Sequence, residues 1–401
     1  MAFDVAALRA EFPALESGIA FFDGPGGTQT PRSVGEAIYR TITEPLSNRG
    51  SMVVSQRNAD EAVLGFRAAM ADLLGADPLG IVYGRSATQV TYDFSRALAK
   101  QWEPGDVVVV SRLDHDANVR PWIQAATAVG AEVRWIDFDP ETSEVVWSSV
   151  EAAITDRTRL VAITAASNLL GTIPPVRRIA DLAHTVGAHT YVDGVHYTAH
   201  AFVDVQELGA DFYVCSPYKF HGPHCAVLAA SPALLDTVWP DKLAPSTDDV
   251  PERFEFGTLP YEMMAGVTAA VDFIAGIDPG AGSTRRERLA SSLHSIDTHE
   301  FNLRLQIEAD LAEIEGVTVY SRAADRTPTL LFDLAGRSSG DLARFLADRN
   351  VLAPAGSFYA LETFNRLGLE QPDAVRVGLA PYSNEDDAQR LYEGLVAFVS
   401  R

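Results

Sequence analysis

The chain has 401 residues, of which 47% are hydrophobic and 21% are charged, and its formal net charge is -22. This length and composition predict a globular protein with one large domain and a smaller one, and they exclude a largely disordered chain. An acidic surface of this size argues against nucleic acid or an anionic membrane as the main partner.

The N-terminal segment MAFDVAALRAEFPAL has an early acidic residue and no long apolar run, so it does not resemble a signal peptide. No stretch has the roughly 18 consecutive apolar residues that are needed to span a bilayer. The chain has two cysteines, Cys215 and Cys225, which implies no disulfide framework and fits a reducing compartment. We therefore expect a cytoplasmic protein. The next segment, DGPGGTQTP (23–31), predicts a loop.

Short β-rich runs alternate with helical patterns between about residues 58 and 230. Helical patterns include 87–101 and 176–184, and the VVVV run at 107–110 is apolar on both faces, as a central parallel strand should be. This alternation predicts a doubly wound α/β sheet with mostly parallel strands. The predicted strands are 80–83, 107–111, 132–136, 160–165, 190–193, 212–215 and 226–229.

The pattern changes after GIDPGAGSTRRER (276–288), which predicts a linker or turn. A long helix is predicted over about 286–315, and a final helix over about 386–399. Strands are predicted at 317–320, 329–332 and 374–379, so this part is expected to be a smaller α+β domain. We predict three parts: an N-terminal segment (1–30), a large domain (31–280) and a small C-terminal domain (281–401).

The first candidate site is the junction between IVYG (81–84) and the helix that follows it. Ser86 is a candidate N-cap, and a helix start offers free N–H groups and the positive end of the helix dipole, which suit a phosphate. An ordinary capped helix gives the same pattern, so this junction alone does not assign a phosphate site.

The second candidate is Asp193, which ends the apolar strand HTYVD. Side chains at the carboxyl ends of parallel strands face the ligand crevice of an open α/β sheet. A buried carboxylate there needs a cationic partner, and a protonated pyridine nitrogen would serve. An aspartate that only caps a turn would give the same pattern.

The third candidate is Lys219 in VCSPYKFHGPH, which also follows a predicted strand. Its neighbours Tyr218 and Phe220 and the Gly-Pro turn predict partial desolvation, which lowers the pKa of a lysine and favours Schiff-base chemistry. The alternative is a surface lysine whose stem lies along apolar neighbours.

Three further signals are an imidazole, an arginine and a group of possible metal ligands. His115, after the VVVVS strand, could stack on a flat ring or move protons, or it could be an ordinary loop histidine. Arg376, inside the apolar strand AVRVGLAPY, suggests either a substrate carboxylate or a structural ion pair. His221, His224 and Cys225 are close in sequence, but a second ligand pair at the usual spacing is missing, so we expect no metal site.

Six segments in this order resemble the class V aminotransferase family of pyridoxal 5′-phosphate (PLP) fold type I, namely its cysteine desulfurase and selenocysteine lyase group, to which isopenicillin N epimerase is related. The subgroup called cysteine desulfurase-like is similar in having DGPGGTQ near its start. The segments are SRLDHDANVRPW (111–122), ASNLLGTIPPV (166–176), YVDGVHY (191–197), CSPYKFHGPH (215–224), RFEFGTLPYE (253–262) and VRVGLAPYS (375–383).

The resemblance implies that the chain is a PLP enzyme of the fold type I α/β class. The large domain (31–280) would bind PLP, the N-terminal segment (1–30) would contribute to the active site, and each matching residue would have a role. Lys219 would form the Schiff base with PLP, and Asp193 would pair with the pyridinium nitrogen. His115 would stack on the ring face. Asn168 and His196 would lie near the ring hydroxyl.

The resemblance also implies how the phosphate and the substrate are held. Ser86 and the backbone of Ala87 would bind the phosphate, with Ser216 and Tyr218 assisting. Thr258 would reach the phosphate of the neighbouring subunit, which implies a homodimer with shared active sites. The small-molecule substrate would be an amino acid, and Arg376 would bind its α-carboxylate.

One departure from the family pattern concerns sulfur transfer. Cysteine desulfurases accept sulfur on a cysteine in a mobile loop before the matching arginine, and here that stretch (351–376) holds no cysteine. Cys215 and Cys225 lie on predicted strands and are expected to be buried. Tyr218 also stands where many desulfurases have histidine, and DGPGGT replaces their small-residue N-terminal loop.

The first hypothesis for function is therefore a carbon–sulfur β-lyase that acts on cysteine or a cysteine S-conjugate without a persulfide cysteine. An aminotransferase or epimerase is the second hypothesis, and decarboxylation-coupled deamination in specialised metabolism is the third. A hypothesis from another class is a non-catalytic binding partner with the same fold. The intact set of Lys219, Asp193, His115 and Arg376 argues against that last hypothesis.

Overall fold

The computed structural model describes residues 4–278, 280–369 and 373–401. The start of the predicted N-terminal segment (1–3), one residue of the predicted linker (279) and residues 370–372 of the cysteine-free stretch lie outside the described residues. The strands are β1 Ala20–Phe21, β2 Ile81–Gly84, β3 Val107–Ser111, β4 Glu132–Ile136, β5 Thr158–Thr164, β6 His189–Asp193, β7 Phe212–Cys215, β8 Ala226–Ala230, β9 Val317–Val319, β10 Thr329–Leu334, β11 Val351–Leu352, β12 Ala355–Gly356 and β13 Ala374–Gly378.

Helices pack on both faces of the large sheet. The helices are α1 Val5–Ala10, α2 Arg32–Thr43, α3 Val54–Leu74, α4 Ala87–Ala99, α5 Arg120–Val129, α6 Trp147–Ala153, α7 Val176–Thr185, α8 Pro232–Thr237, α9 Tyr261–Ile277, α10 Arg285–Ala312, α11 Ser339–Ala347, α12 Leu361–Leu367 and α13 Glu385–Val399. Of these, α10, α11 and α13 contribute to the core of the small sheet. None of the described helices is both long enough and apolar enough to cross a membrane.

Within the described residues, the large sheet has seven strands in the order β2-β8-β7-β6-β5-β3-β4. All neighbours are parallel except β8, which is antiparallel to both β7 and β2. Val107 and Val109 pack into the core on one face of the sheet, and Val108 and Val110 pack into the core on the other. The prediction of a mostly parallel sheet between helix layers is confirmed, and the apolar VVVV run is explained by burial on both faces.

The strand directions bring the loops of the predicted site to one edge of the sheet. β3, β5, β6 and β7 run parallel, so their carboxyl ends lie side by side. β2 is antiparallel to β8, which is itself antiparallel to β7, and therefore β2 also ends at this edge. β4 and β5 lie on opposite sides of β3, which makes a topological switch point, the place where open α/β sheets bind ligands.

The small sheet has the order β12-β13-β10-β9 and is antiparallel throughout the described residues. Its own core includes Leu330 and Phe332 of β10, Val375 of β13, and side chains of α10, α11 and α13. β1 pairs with β11 in parallel, which joins the N-terminal segment to this part of the chain. A large α/β part with a smaller sheet-containing part is the predicted fold class, whereas the boundaries at 30/31 and 280/281 stay predictions.

Most predicted elements are present with ends shifted by one to three residues. The strands 107–111, 132–136 and 212–215 have the predicted ends, and the long helix predicted over 286–315 is α10. It begins at Arg285 because Thr284 and Glu287 form a capping box, in which each side chain accepts a hydrogen bond from the other residue's N–H group.

A buried ion pair holds the short 3-10 turn Glu252–Phe254, which lies between α8 and α9. The Arg67 guanidinium on α3 contacts Glu255 at 2.9 Å and Glu252 at 2.7 Å. The side chains of Arg67 and Glu255 are 4% and 2% exposed. Glu255 also accepts a hydrogen bond from the N–H of Tyr83 in β2, so the turn is tied to both a helix and the sheet.

We predict that Arg67→Ala lowers the free energy of unfolding by about 3–5 kcal/mol, because the variant leaves Glu255 buried without its cationic partner. Urea unfolding followed by circular dichroism measures this change. The control is Arg177→Ala, which removes an ion pair with Asp181 in which both side chains are more than half exposed. A surface pair contributes less than about 1 kcal/mol, so equal losses in the two variants would contradict the prediction.

Candidate active site

A cavity of about 700 Å³ opens at the carboxyl edge of the large sheet, where the small sheet faces it. Residues from loops that are far apart in sequence line it, including those after β2, β3, β5, β6 and β7. Ten of the eleven site residues predicted from the sequence line this cavity: Ser86, Ala87, His115, Asn168, Asp193, His196, Ser216, Tyr218, Lys219 and Arg376.

Lys219 lies in a short 3-10 turn directly after β7 and is 8% exposed. Burial, together with the positive charge of Arg376, lowers the pKa of its amine to about 7, while Asp23 and Asp193 oppose the shift. Its Nζ atom donates a hydrogen bond to the carbonyl oxygen of Pro25. A substantial fraction of this amine is therefore neutral near pH 7, as a nucleophilic lysine requires.

Asp193 is the last residue of β6 and is 7% exposed. Burial raises the pKa of its carboxyl to about 6, although the N–H of Val195 and the charge of Lys219 favour the ionised form. That N–H lies 2.9 Å from Oδ1. A ligand cation in the cavity would stabilise the carboxylate, because it would supply the charge that the buried group lacks.

His115 follows β3 and is held at one nitrogen, since its Nδ1 accepts a hydrogen bond from the N–H of Ala117 at 3.0 Å. Burial, followed by the charges of Lys219 and Arg376, lowers the pKa of this imidazole to about 4. The ring is therefore neutral near pH 7 with its proton on Nε2. On one side it stacks with Tyr359 at a centroid distance of 5.6 Å and an interplanar angle of 27°.

Asn168 and His196 form the wall towards the small sheet. The Nδ2 of Asn168 donates to the carbonyl oxygen of Phe358 at 3.0 Å, whereas its Oδ1 is buried without a hydrogen-bond partner among the described residues. The Nε2 of His196 lies 2.8 Å from the hydroxyl of Thr327 and 3.0 Å from that of Thr329. Burial lowers the pKa of His196 well below its usual value, so this imidazole is neutral.

The start of α4 forms another wall. The hydroxyl of Ser86 accepts a hydrogen bond from the N–H of Gln89 at 3.2 Å, as expected for an N-cap. Ser86, Ala87 and Thr88 line the cavity, so the amino end of a regular helix faces it. This end attracts an anion through the helix dipole and its unpaired N–H groups.

Arg376, in the middle of β13, reaches the cavity from the small sheet. Its side chain is 3% exposed, and its Nη2 contacts the carboxylate of Asp23 at 2.6 Å. Its Nη1 donates to the carbonyl oxygen of Asn168 at 3.0 Å, and the guanidinium lies 3.8 Å from the ring centroid of Phe358. The sequence suggested either a substrate carboxylate or a structural ion pair for Arg376, and the structure contains the ion pair, with Asp23. The Nε atom of Arg376 is buried without a hydrogen-bond partner among the described residues.

Thr258 is the predicted site residue that the fold does not bring to this cavity. It is exposed and lines a separate cavity of about 180 Å³ together with Arg85 and Phe256. The reason is its position in the turn after Glu255, on the outer side of β2. The predicted contact with a neighbouring subunit requires a second chain and stays a prediction.

Both cysteines are buried, as expected from the sequence, with 0% of Cys215 and 1% of Cys225 exposed. Burial raises the pKa of both thiols, that of Cys225 to about 12. Thiols with such pKa values are protonated at neutral pH and are poor nucleophiles. In the part of the chain that the structure describes, no group of three or more His, Cys, Asp or Glu side chains is arranged to hold a metal ion.

Sequence reasoning did not single out several residues that line the cavity. The most important are Asp23 and Pro25 of the glycine-rich loop, and Phe358 and Tyr359 of the loop before α12. The glycines around Asp23 were the available signal, since such a loop allows close approach of the backbone to a site. Phe358 and Tyr359 have φ angles of 53° and 56°, which no sequence pattern indicated.

The residues that line the cavity fit the chemistry of PLP. The cavity offers a buried amine with a lowered pKa, a buried carboxylate, and the amino end of a helix. These groups match, in turn, an aldehyde, a pyridine nitrogen and a phosphate. The unpaired Oδ1 of Asn168 adds a polar atom that is buried without a partner among the described residues.

Comparison with known proteins agrees with this fit. The model of the family "Aminotransferase class-V" matches residues 20–391. The chain is 31% identical to an uncharacterised protein of Mycobacterium tuberculosis over 99% of this chain and 100% of that protein. It is 30% identical to a cysteine desulfurase of Dickeya dadantii, over 97% of this chain and 95% of that one.

A solved structure supports the same relationship. The apo structure of a cysteine desulfurase from Thermococcus onnurineus NA1 superposes with a TM-score of 0.90 and 25% sequence identity, and the match covers 100% of both chains. The predicted fold class and the predicted type of enzyme are confirmed. The chain belongs to the aminotransferase class-V family of PLP-dependent enzymes.

Proposed function

We propose that this protein cleaves the Cβ–S bond of cysteine or of a cysteine S-conjugate, with PLP bound at Lys219. The observation that carries the proposal is the combination of a buried, partly neutral lysine amine with the absence of any accessible cysteine thiol in the chain. The relationship to cysteine desulfurases supports a sulfur-containing amino acid as the substrate.

Different residues of the cavity would bind different parts of the cofactor. Lys219 would hold it covalently through Nζ, and Asp193 would pair with its ring nitrogen. His115 would lie against the ring face, and Asn168 and His196 beside the ring hydroxyl. The start of α4, with Ser86 and the N–H of Ala87, would bind the phosphate, assisted by Ser216 and Tyr218. When bound, PLP supplies an electron sink that allows bonds at Cα and Cβ of an amino acid to break.

Lys219 moves the proton in this scheme. With the cofactor and a substrate amino acid held in the cavity, the Nζ atom of Lys219 would be the base that accepts the proton from Cα. His115 and His196 are neutral because burial lowers the pKa of both imidazoles, so they add no positive charge to the cavity. Hydrogen bonds hold both rings in place, so they would position the cofactor ring and its hydroxyl. Arg376 binds the α-carboxylate of the substrate, which places Cα near Lys219.

The sulfur leaves as a free thiol. With L-cysteine, the Cα–H and Cβ–S bonds break, and the addition of one water gives pyruvate, ammonia and hydrogen sulfide. Neither Cys215 nor Cys225 can accept the sulfur, because both thiols are buried and protonated. In cysteine desulfurases a loop cysteine accepts the sulfur, whereas in this proposal the thiol is released to solvent.

A second candidate is amino-group transfer or epimerisation. It is favoured by the family model, whose description is an aminotransferase, and by the position of the Lys219 amine in the cavity, from which it would be able to return a proton to a different carbon. The same residues would bind the cofactor and the α-carboxylate. The two candidates differ in whether a thiol is released.

We also propose that the protein is a homodimer with shared active sites. Phe256, two residues before Thr258, is 42% exposed, and Met52 and Val53 in the segment before α3 are 83% and 53% exposed. An ion pair of 3.0 Å between Arg49 and Glu252 links that segment to the turn before Thr258. Exposed apolar surface of this kind is typical of an interface. A second copy of the chain would bury it and bring Thr258 to the phosphate site of its partner.

The first prediction concerns the ionisation of Lys219. Because only the neutral amine attacks an aldehyde, PLP loading into cofactor-free protein should accelerate between about pH 6 and pH 8 and level off above that range, since the pKa of Lys219 is about 7. The rate is followed by the visible absorption of the bound cofactor. A rate that keeps rising to about pH 10 would mean that the amine behaves as an ordinary lysine.

The same experiment identifies the attachment point. The chain has three lysines, Lys100, Lys219 and Lys242, and the other two form ion pairs with Asp241 and Asp248. Borohydride reduction followed by peptide mass spectrometry should place the pyridoxyl group on Lys219 alone. Lys219→Ala should lose it, whereas Lys100→Ala and Lys242→Ala should keep it.

The second prediction tests the reaction. The purified enzyme should release pyruvate and sulfide in equal amounts from L-cysteine, or pyruvate and the matching thiol from an S-alkyl cysteine. Pyruvate is measured with lactate dehydrogenase and the thiol with a colorimetric reagent. Transfer of the amino group to an added keto acid with no thiol released would reject the lyase and support the second candidate.

The third prediction tests the shared site by subunit mixing. Lys219→Ala and Thr258→Ala protomers should each be impaired alone, because one lacks the amine and the other lacks the phosphate contact. A mixed dimer should regain one intact site, formed by Lys219 of one protomer and Thr258 of its partner. Thr185→Ala, at the exposed end of α7, is the control. Full cofactor affinity of Thr258→Ala, or a monomer in analytical ultracentrifugation, would contradict the shared site.

A further inference from the structure

The glycine-rich loop of residues 23–27 contacts both basic side chains that the proposed reaction uses, Arg376 and Lys219. At one end the Asp23 carboxylate binds the Nη2 of Arg376 at 2.6 Å. Two residues later the carbonyl oxygen of Pro25 accepts a hydrogen bond from the Nζ of Lys219. Asp23, Pro25 and Gly26 all line the cavity, so this loop is part of its wall.

The Arg376 guanidinium is held from three sides. Asp23 binds Nη2, the carbonyl oxygen of Asn168 accepts a hydrogen bond from Nη1 at 3.0 Å, and the Phe358 ring lies 3.8 Å from the central carbon. A guanidinium is a planar fork with five N–H donors, so contacts at two nitrogens and one face fix its plane. The other N–H groups are thereby fixed in the same plane, including that of Nε, which is buried without a hydrogen-bond partner among the residues that the structure describes.

Gly26 shows that the fold reserves space for the Asp23 carboxylate. A Cβ atom at Gly26 would lie 2.2 Å from Oδ2 and 2.5 Å from Cγ of Asp23. The three nearest atoms to that Cβ all belong to the Asp23 side chain, so an added methyl group would displace this carboxylate first. Gly26 has no positive φ angle, so alanine fits its backbone conformation.

We propose that Asp23 is a positioning residue for substrate binding: it orients Arg376 so that the free N–H groups of the guanidinium meet the α-carboxylate of the amino acid. This role rests on the proposed function in one respect, namely that Arg376 binds that carboxylate. Gly26 supports the same role of Asp23, because the absence of a side chain at Gly26 leaves room for the Asp23 carboxylate.

Two effects of Asp23 on an incoming carboxylate oppose each other. Its negative charge repels the substrate, but its oxygen fixes the plane of Arg376 and so allows bidentate binding. Arg376 stays positively charged with or without this partner, since a guanidinium is not deprotonated in proteins. We therefore expect the orientation of the guanidinium to have a larger effect on the affinity for the substrate carboxylate than the repulsion by Asp23. Arg376 needs an acceptor oxygen at this position to hold that orientation.

The test compares ligands that differ only in the α-carboxylate. L-Alanine has this group and ethylamine lacks it, and neither contains sulfur, so the result does not depend on whether the enzyme is a lyase. Dissociation constants are read from the visible absorption of the PLP-loaded protein. Asp23→Ala should bind L-alanine about 10-fold to 100-fold more weakly, the loss of one charge-assisted hydrogen bond, and should bind ethylamine as the wild type does.

Two more variants separate orientation from charge. Asp23→Asn keeps an acceptor oxygen and should recover most of the affinity for L-alanine. Gly26→Ala should reproduce the Asp23→Ala result because it displaces the carboxylate, whereas Gly35→Ala on α2, where a Cβ has no neighbour within 4 Å, should have no effect. In an Arg376→Gln background, Asp23→Ala should cause no further loss, as expected when one residue acts through the other.

Each contrary outcome overturns the assignment. Unchanged or tighter binding of L-alanine by Asp23→Ala would mean that repulsion dominates. Equal losses for L-alanine and ethylamine would mean that Asp23 only supports the loop, and an additive loss in the Arg376→Gln background would mean that it acts independently. A wild-type protein that does not prefer L-alanine over ethylamine would remove the premise. Failure of the thiol-release experiment alone leaves the role of Asp23 intact.

Discussion

The active site depends on the burial of one lysine amine beside other charged groups at the edge of a parallel sheet. Lys219 is held in a cavity with Asp193, Asp23 and Arg376, two negative and two positive groups in all. Burial lowers the pKa of the amine, which favours the neutral form that attacks an aldehyde. Burial raises the pKa of the Asp193 carboxyl, so its ionised form needs a cationic partner such as a protonated ring nitrogen.

This arrangement is possible because two sheets meet at the cavity. The large sheet supplies Lys219 and Asp193 from the carboxyl ends of neighbouring parallel strands. The small sheet supplies Arg376 from the middle of β13, and the N-terminal segment, paired to that part of the chain through β1 and β11, supplies Asp23. The residues proposed to hold the cofactor and those proposed to hold the substrate therefore come from different parts of the fold.

Within this shared architecture, the chemistry is set by what lines the cavity on the substrate side. The loop before α12 presents Phe358 and Tyr359, which pack on Arg376 and His115. The two thiols of the chain are enclosed in the cores beside β7 and β8. A buried, protonated thiol is a poor acceptor of sulfur, and the aromatic side chains of this loop offer no thiol in its place. The proposed release of a free thiol rests on this lining of the cavity.

The sequence alone determined the alternation of strands and helices and the apolar strands buried on both faces, because these patterns are local. Local patterns also singled out Ser86, Asp193, Lys219, His115 and Arg376, and the resemblance of six ordered segments to a known family implied the other predicted residues that line the cavity. Only the tertiary structure decided that Asp23, some 350 residues from Arg376, pairs with it, and that Phe358 and Tyr359 adopt left-handed backbone conformations beside the site. It also placed Thr258 outside the cavity of its own chain. Contacts between distant segments depend on how the two sheets pack together, and no local pattern encodes that packing.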